Sequence, residues 1–306
     1  MIRFIIKRLL QAIPAILVIF TITFVMLKLA PGGPFSTEKD VDPATLKNLK
    51  AYYGLDKPLI VQYFLNLKNL LYGNFGPSFR YKNRSVNEVI AGAFPISFEL
   101  GLWAMLLALL IGLTAGMIAA IKPNSLSDYL PMSLAMIGIC LPTFVIGPLL
   151  LLLFGLKLNL VNATGWNTFG DRLLPSLTLA LPYAAYIARL FRSGMLEILN
   201  QDFIRTARAK GLTSSAILFR HAFRGGVLPV VSFLGPACAG IITGSFVIEK
   251  VFQIPGLGQH FINAGFNRDY SMVIGLGVFY GVLIIVFNLL VDIVQVWLNP
   301  KLKFSD

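Results

Sequence analysis

The sequence is poor in the residues on which most enzyme and metal chemistry depends. It contains two cysteines, Cys140 and Cys238, both inside apolar stretches and without a C-x-x-C or metal-ligand spacing, so they read as packing residues. Its two histidines, His221 and His260, are far apart and neither sits in H-E-x-x-H, so no metal site is expected. The same scarcity argues against an intramembrane enzyme, which needs a nucleophile and base, or metal ligands, converging within the spans. No G-x-x-x-x-G-K-[ST] occurs, so the chain does not cradle ATP phosphates by that device and is expected to carry no cofactor of its own. Charge is scarce too, at 13% of residues, with 14 acidic against 26 basic side chains. A formal net charge of +12 could suggest nucleic acid. The basic residues, however, sit between apolar runs rather than along one solvated face, so they read as topology determinants and no nucleic-acid partner is expected.

What the chain does have is apolar residues, at 56% of the total with a mean hydropathy of +0.75, a surface that only lipid suits. The expectation is an all-α polytopic membrane protein, a single domain over 1–306 with six transmembrane helices near 9–29, 98–121, 129–156, 173–191, 228–248 and 273–298. The N-terminus begins like a signal peptide, but its apolar run is about 20 residues long and lacks an A-x-A site, so it is read as the retained first span.

Orientation follows from the short segments. Arg3, Lys7, Arg8, Lys122, Arg189, Arg192, Arg205, Arg208, Lys210, Arg220, Arg224, Lys301 and Lys303 fall on one side. Lys157, Arg172, Lys250 and Arg268, with Lys28 at a span end, fall on the other. The excess puts both termini and residues 192–227 in the cytoplasm and the long 30–97 loop outside. Within that loop Leu59, Tyr63, Leu67 and Leu70 recur at helical spacing between Gly54, Pro58, Gly73 and Gly76, which predicts two short amphipathic helices. They could lie on the membrane surface or pack against a partner. Three G-x-x-x-G pairs, Gly112/Gly116, Gly240/Gly244 and Gly277/Gly281, suit close helix packing. Pro131, Pro142, Pro148, Pro182 and Pro236 imply kinks.

The most informative stretch is 192–227, because a bundle held together by its spans needs no such cytoplasmic excursion. Phe203, Ile204 and Ala207 share one helical arc, with Arg205 and Arg208 opposite. Gly211 follows Lys210 as a stop, and Thr213 or Ser214 can cap a second short helix. An element of this kind suits a groove on a partner or a bed of anionic headgroups, and the residues alone leave both open.

D-F-I-R-T-A-R-A-K-G-L at 202–212, R-H-A at 220–222 and L-P at 228–229 together resemble the coupling-loop motif of ATP-binding-cassette importer permeases. The variant is that of the oligopeptide, dipeptide and nickel permeases. Arg205, Thr206 and Ala207 stand where the wider superfamily has Glu-Ala-Ala. The likeness extends through Arg8 to Pro14, L-A-P-G-G-P-F at 29–35, Y-G-L-D-K-P at 53–58, G-N-F-G-P-S at 73–78, V-I-E-K-V-F-Q-I-P-G-L-G at 247–258 and N-R-D-Y at 267–270. It is similar to the B-type permease subunit of peptide importers.

The resemblance implies a type I importer permease fold in the bacterial inner membrane, and a heterodimer with a second, C-type permease. It also implies two cytoplasmic ATPase subunits that carry ATP and Mg, an external binding protein and a peptide substrate. It assigns ATPase coupling to Asp202, Arg205, Thr206, Ala207, Arg208, Ala209, Lys210, Gly211 and Leu212. The L-A-P-G-G-P-F start leans toward oligopeptides over dipeptides or nickel.

Two further groups are candidates on their chemistry. Glu249, Pro255, Gly256 and Gly258 could fold back at a pore rim as an external gate, or form a plain turn. Asn288 and Asp292 share a face of the last span and could line a translocation path, or reach the headgroups. An ion-coupled secondary transporter remains the competing class, but no internal repeat is evident and the cationic loop would have no role in one.

Overall fold

The computed structural model describes residues 2–35, 42–81, 83–162 and 164–298; Lys39, Lys82, Lys301 and Lys303 lie outside the described residues. The described chain is helical, with one isolated bridge between Pro77 and Ser85. It divides into two compact units, Met1–Ser97 with Pro255–Ile285, and Phe98–Ile254 with Val286–Asp306.

In the first unit, α1 (Ile2–Leu29) is followed by the two short helices expected in the long loop, α2 (Pro43–Tyr52) and α3 (Leu59–Leu71). The part-buried face of α3 carries Tyr63, whose ring packs 5.2 Å from Phe20 and 5.5 Å from Phe24 and whose hydroxyl bonds Thr21 at 2.8 Å. Leu59, expected on that face, is 58% exposed.

The helix α4 (Val86–Ile121) begins at Val86 rather than at 98, so the end of the expected loop is helix. At about 1.5 Å per residue its 36 residues extend about 54 Å, well beyond a hydrocarbon core of about 30 Å. Its first turns (Val86, Val89, Ile90, Ala93) build a buried cluster with Leu257 and Ala264 of α13 (Leu257–Asn267) and Met272 and Leu276 of α14 (Tyr270–Leu298). Of the expected pair in α14, Gly277 stands beside Thr23 and Gly281 beside Ile19, both of α1, so this face packs within the chain, while Gly275 admits Val86 and Phe75.

The N-R-D-Y stretch has a structural role here. Arg268 takes φ 56 to end α13, and buried Asp269 accepts from Met272 N at 3.1 Å to cap α14 and also bonds Ser78 Oγ. Tyr270 Oη donates to Gly32 O at 3.2 Å. His260 Nδ1 pairs with Tyr81 Oη at 3.0 Å, and burial, then Arg84, lowers its pKa below the ordinary 6.5.

In the second unit, α5 (Leu126–Cys140) and α6 (Thr143–Leu150) are bent by 106° at Leu141–Pro142, and α6 runs on as a π-helical turn, Leu151–Lys157. The span expected at 129–156, with a kink implied at Pro142, is therefore a bent pair, because Pro142 cannot donate to a continuing ladder. Among the described residues, five helices are long and apolar enough to cross a membrane, or six when that pair counts as one span. The centre of this unit is α7 (Phe169–Leu199), which α4 approaches through Gly112, beside Ile187 and Ala184, and Gly116, beside Ala188 and Phe191. Of the pair in α11 (Leu228–Gly244), Gly240 abuts the Tyr183 hydroxyl, while the side-chain surroundings at Gly244 lie outside the described residues.

Two acidic side chains near helix starts lock this unit. Asp171 forms a capping box with Thr168 and accepts from Asn162 at 2.6 Å. Asp128, 2% exposed, receives both Nε and Nη2 of Arg192 at 2.5 Å. Glu99 takes the Arg172 Nε at 2.6 Å and the Trp166 indole at 3.1 Å.

Candidate functional site

The cationic loop is built on the end of α7. Its expected start at 192 lies inside that helix, which continues to Leu199 with Arg192 held by Asp128. After Asn200, Gln201 is extended at φ −72, ψ 151, and α8 (Asp202–Ala209) begins. Asp202 in its first turn and Arg208 in its last both complement the helix dipole. Asp202 also pairs with Arg205 at 3.3 Å, three residues on, and accepts Thr206 Oγ1 at 3.1 Å through its carbonyl. That ion pair is highly exposed and adds little stability.

Lys210 closes α8, and the chain turns at Gly211 with φ 79. The Gly211 N–H donates to Arg208 O at 2.9 Å and the Leu212 N–H to Ala207 O at 3.3 Å, the paired bonds of a Schellman stop. A Cβ at Gly211 would meet nothing within 4 Å, so glycine is needed here for its left-handed backbone, not for space. Thr213 then accepts from Ala216 N at 3.3 Å to cap α9 (Ser214–Ala216), which continues as a π-helical turn (Ile217–Ala222) and α10 (Phe223–Gly226). Gly225 and Gly226 bring α10 against Ile198 and Met195 of α7, and Phe223 packs 5.3 Å from Phe191.

The loop is thus braced from beneath, and this fixes what each face of α8 does. Ile204 and Ala207 are 0% and 6% exposed, covered by the chain itself. Phe203, expected on the same apolar arc, is 49% exposed. Asp202, Arg205, Thr206, Arg208, Ala209, Lys210, Gly211 and Leu212 are exposed, so every expected coupling residue except Ala207 lies on the outer surface. That surface is cationic, and Phe203, Leu212 and Phe219 give it apolar points. It can seat in a groove that offers carboxylates around an apolar floor.

The candidate gate residues do not form one constellation. Glu249 lies in α12 (Phe246–Val251), fully buried, accepting Ser245 Oγ at 2.6 Å four residues back. Pro255 is exposed, Gly256 is the extended N-cap of α13 at φ −97, and Gly258 is buried in that helix. Neither glycine uses a conformation closed to other residues; the left-handed residue of this stretch is Gln253, at φ 54. Of the candidate path residues, Asn288 faces Gly235 of α11, whose Cβ would stand 3.1 Å from its Oδ1, and Asp292 is half-buried one turn further on.

The sequence reading missed Asp128, Asp171, Ser245 and Gln62 as organising residues. Usable signals were present for three of them: a lone acid in an apolar stretch, T-x-x-D ahead of an apolar run, and S-x-x-x-E on one helix face.

Comparison with known proteins gives a consistent picture. Residues 112–304 match the family described as binding-protein-dependent transport system inner membrane component, and residues 1–101 match its N-terminal companion family. The oligopeptide transport system permease protein OppB of Haemophilus influenzae is 48% identical over 306 residues, covering 99% of this chain and 100% of that protein. The OppB of Salmonella typhimurium is 47% identical with the same coverage, and the dipeptide transport system permease protein DppB of Bacillus subtilis is 46% identical, covering 99% and 98%. Among solved structures, the inward-facing MetNI methionine ABC transporter aligns with a TM-score of 0.59 at 16% identity, over 69% of this chain and 96% of that one. An amino acid ABC transporter with histidines aligns at 0.54 and 18%, over 68% and 94%.

Proposed function

The chain belongs to the family of binding-protein-dependent transport system inner membrane components, and from that premise we propose that it forms half of the translocation pathway of an ATP-driven oligopeptide importer. It is a multi-pass inner-membrane permease subunit of a peptide importer with the type I permease fold. The finer reading makes a C-type permease the second half of the pathway, with two ATPase subunits that hold ATP and Mg and an external protein that delivers the peptide. Residues 200–227 and both termini face the cytoplasm and the segment between α1 and α4, residues 30–85, faces outward, in keeping with the charge asymmetry of the short segments.

The observation that carries this reading is the construction of α8. Its buried side, Ile204 and Ala207, fixes it to the body of the chain, while Arg205, Arg208 and Lys210 remain outside on a helix whose end is set by Gly211. A helix braced in this way transmits a push or pull from an ATPase groove to α7 and α11 without folding anew. Gln201 to Leu212 is then the coupling element, and ATP-driven closure of the ATPase pair switches the permease between inward- and outward-open states. Asn288 packs toward α11, which supports a route along the face shared with the partner permease rather than through this chain's own helices. The exposed Pro255 remains the best candidate for an external gate position.

Cross-linking tests the coupling assignment. With Cys140 and Cys238 replaced, a single cysteine at Arg208 or Leu212 should cross-link to an ATPase subunit in the assembled complex, with a yield that changes when ATP is added. If both positions react only with membrane-confined reagents and never with a subunit, the loop lies among lipid headgroups and the assignment is wrong.

A further inference from the structure

We propose that a cavity at the end of α1 binds the phosphate of an anionic phospholipid, with Lys28 as the anchoring cation. The cavity, about 260 Å³, is lined on its polar side by Lys28, Tyr53, Lys57, Gln62, Asn66 and Tyr270. Gln62, 6% exposed, uses both ends of its amide to organise the site. Its Nε2 donates to Leu55 O at 3.2 Å and Lys57 O at 2.7 Å, and its Oε1 accepts Lys28 Nζ at 2.6 Å. The Lys28 ammonium is further fixed over two rings, 5.2 Å from the centroid of Tyr270 and 5.5 Å from that of Phe24. A lysine ammonium has three N–H donors, and Gln62 takes one. Among the described residues no aspartate or glutamate lines the cavity, while exposed Lys57 adds a second cation at its rim. The chemistry selected is an anion with several acceptor oxygens.

The depth of the site favours a lipid over a free anion. Lys28 lies in the last turn of the span Ile6–Leu29, where a lysine of a membrane helix meets the headgroup layer. Leu27, Leu65 and Ile274 give the cavity an apolar wall. Beside it on α1 and α3, Met26, Leu29, Ile60 and Phe64 are between 60% and 78% exposed, a surface for acyl chains continuous with the lipid-facing side of α1. A phosphate held by Lys28 and Lys57 with its chains along these residues would pin α3 against α1.

The purified transporter complex, stripped in neutral detergent and given equal amounts of phosphatidylglycerol and phosphatidylethanolamine, tests this by native mass spectrometry of the retained lipid. The parent should retain phosphatidylglycerol preferentially. Lys28→Gln should lower that retention about tenfold, the loss of one charge-assisted hydrogen bond. Lys57→Gln, at an exposed position that folding does not need, should lower it by a smaller factor. Parental retention in both variants overturns the proposal. So does displacement of the lipid by equimolar glycerol 3-phosphate, which would mean that a free phosphate suffices. Displacement by a peptide with a free C-terminus but not by its amide would give the cavity to a peptide carboxylate instead.

Discussion

At Gly211 the backbone alone sets the requirement, because φ is 79 and a Cβ there would meet no atom within 4 Å. Gly211→Val therefore costs about 1–2 kcal/mol by driving a β-branched residue into the left-handed region, whereas Gly211→Asn costs less. The expected outcome is normal membrane insertion for both, with peptide-stimulated ATP hydrolysis reduced in the valine variant and close to parental in the asparagine variant. Equal activity in the two would mean that the turn does not set the aim of α8. Ala207 teaches the opposite lesson. A large side chain there collides with the chain's own packing and costs about 1–3 kcal/mol, so it disturbs the loop before it reaches any partner. Both residues were legible in the sequence as parts of a short helix and its stop. What could not be read was which body covers the small face, because an amphipathic pattern marks an apolar stripe without saying whether self or partner buries it.

Among the elements, length and hydropathy located the spans well, and local chemistry decided where they end. The segment ahead of 98 reads as loop because polar residues interrupt it, yet Val86, Val89 and Ile90 recur at helical spacing and bury in a cluster that only tertiary packing supplies. The helix α13 escaped notice because L-G-Q-H-F-I-N-A-G-F-N carries two glycines and two asparagines, weak helix formers held in place by contacts from elsewhere in the chain. The bend between α5 and α6 was signalled by Pro142, but not its angle of 106°. The pair that joins α5 to α7 was not visible at all, since Asp128 and Arg192 are 64 residues apart. Asp128→Ala leaves the Arg192 guanidinium without its carboxylate at a site where it is 27% exposed, and should cost about 2 kcal/mol. Replacing both residues with alanine should recover part of that loss, read as the melting temperature of the purified protein in detergent. A double variant less stable than Asp128→Ala would mean that the pair does not act as a unit.

The proposed function divides the labour between this chain and its partners. The chain supplies helices that span the lipid and a braced cationic helix, and it lacks the phosphate-cradling motif from which the driving energy would come. Fold class was legible in the composition and apolar runs, and membership in the residues at 202–212 and 247–258. The surroundings of the path residue Asn288 were not, because its neighbour Gly235 lies on another helix, 53 residues away in sequence. That division is tested head-on by uptake of a labelled oligopeptide into proteoliposomes holding the complete complex, measured with and without ATP on the ATPase side. Uptake should require both ATP and the ATPase subunits, and it should be lost in Gly211→Val with the complex still assembled. Uptake that persists without the ATPases and follows an imposed proton or sodium gradient would contradict a permease driven from outside its own chain.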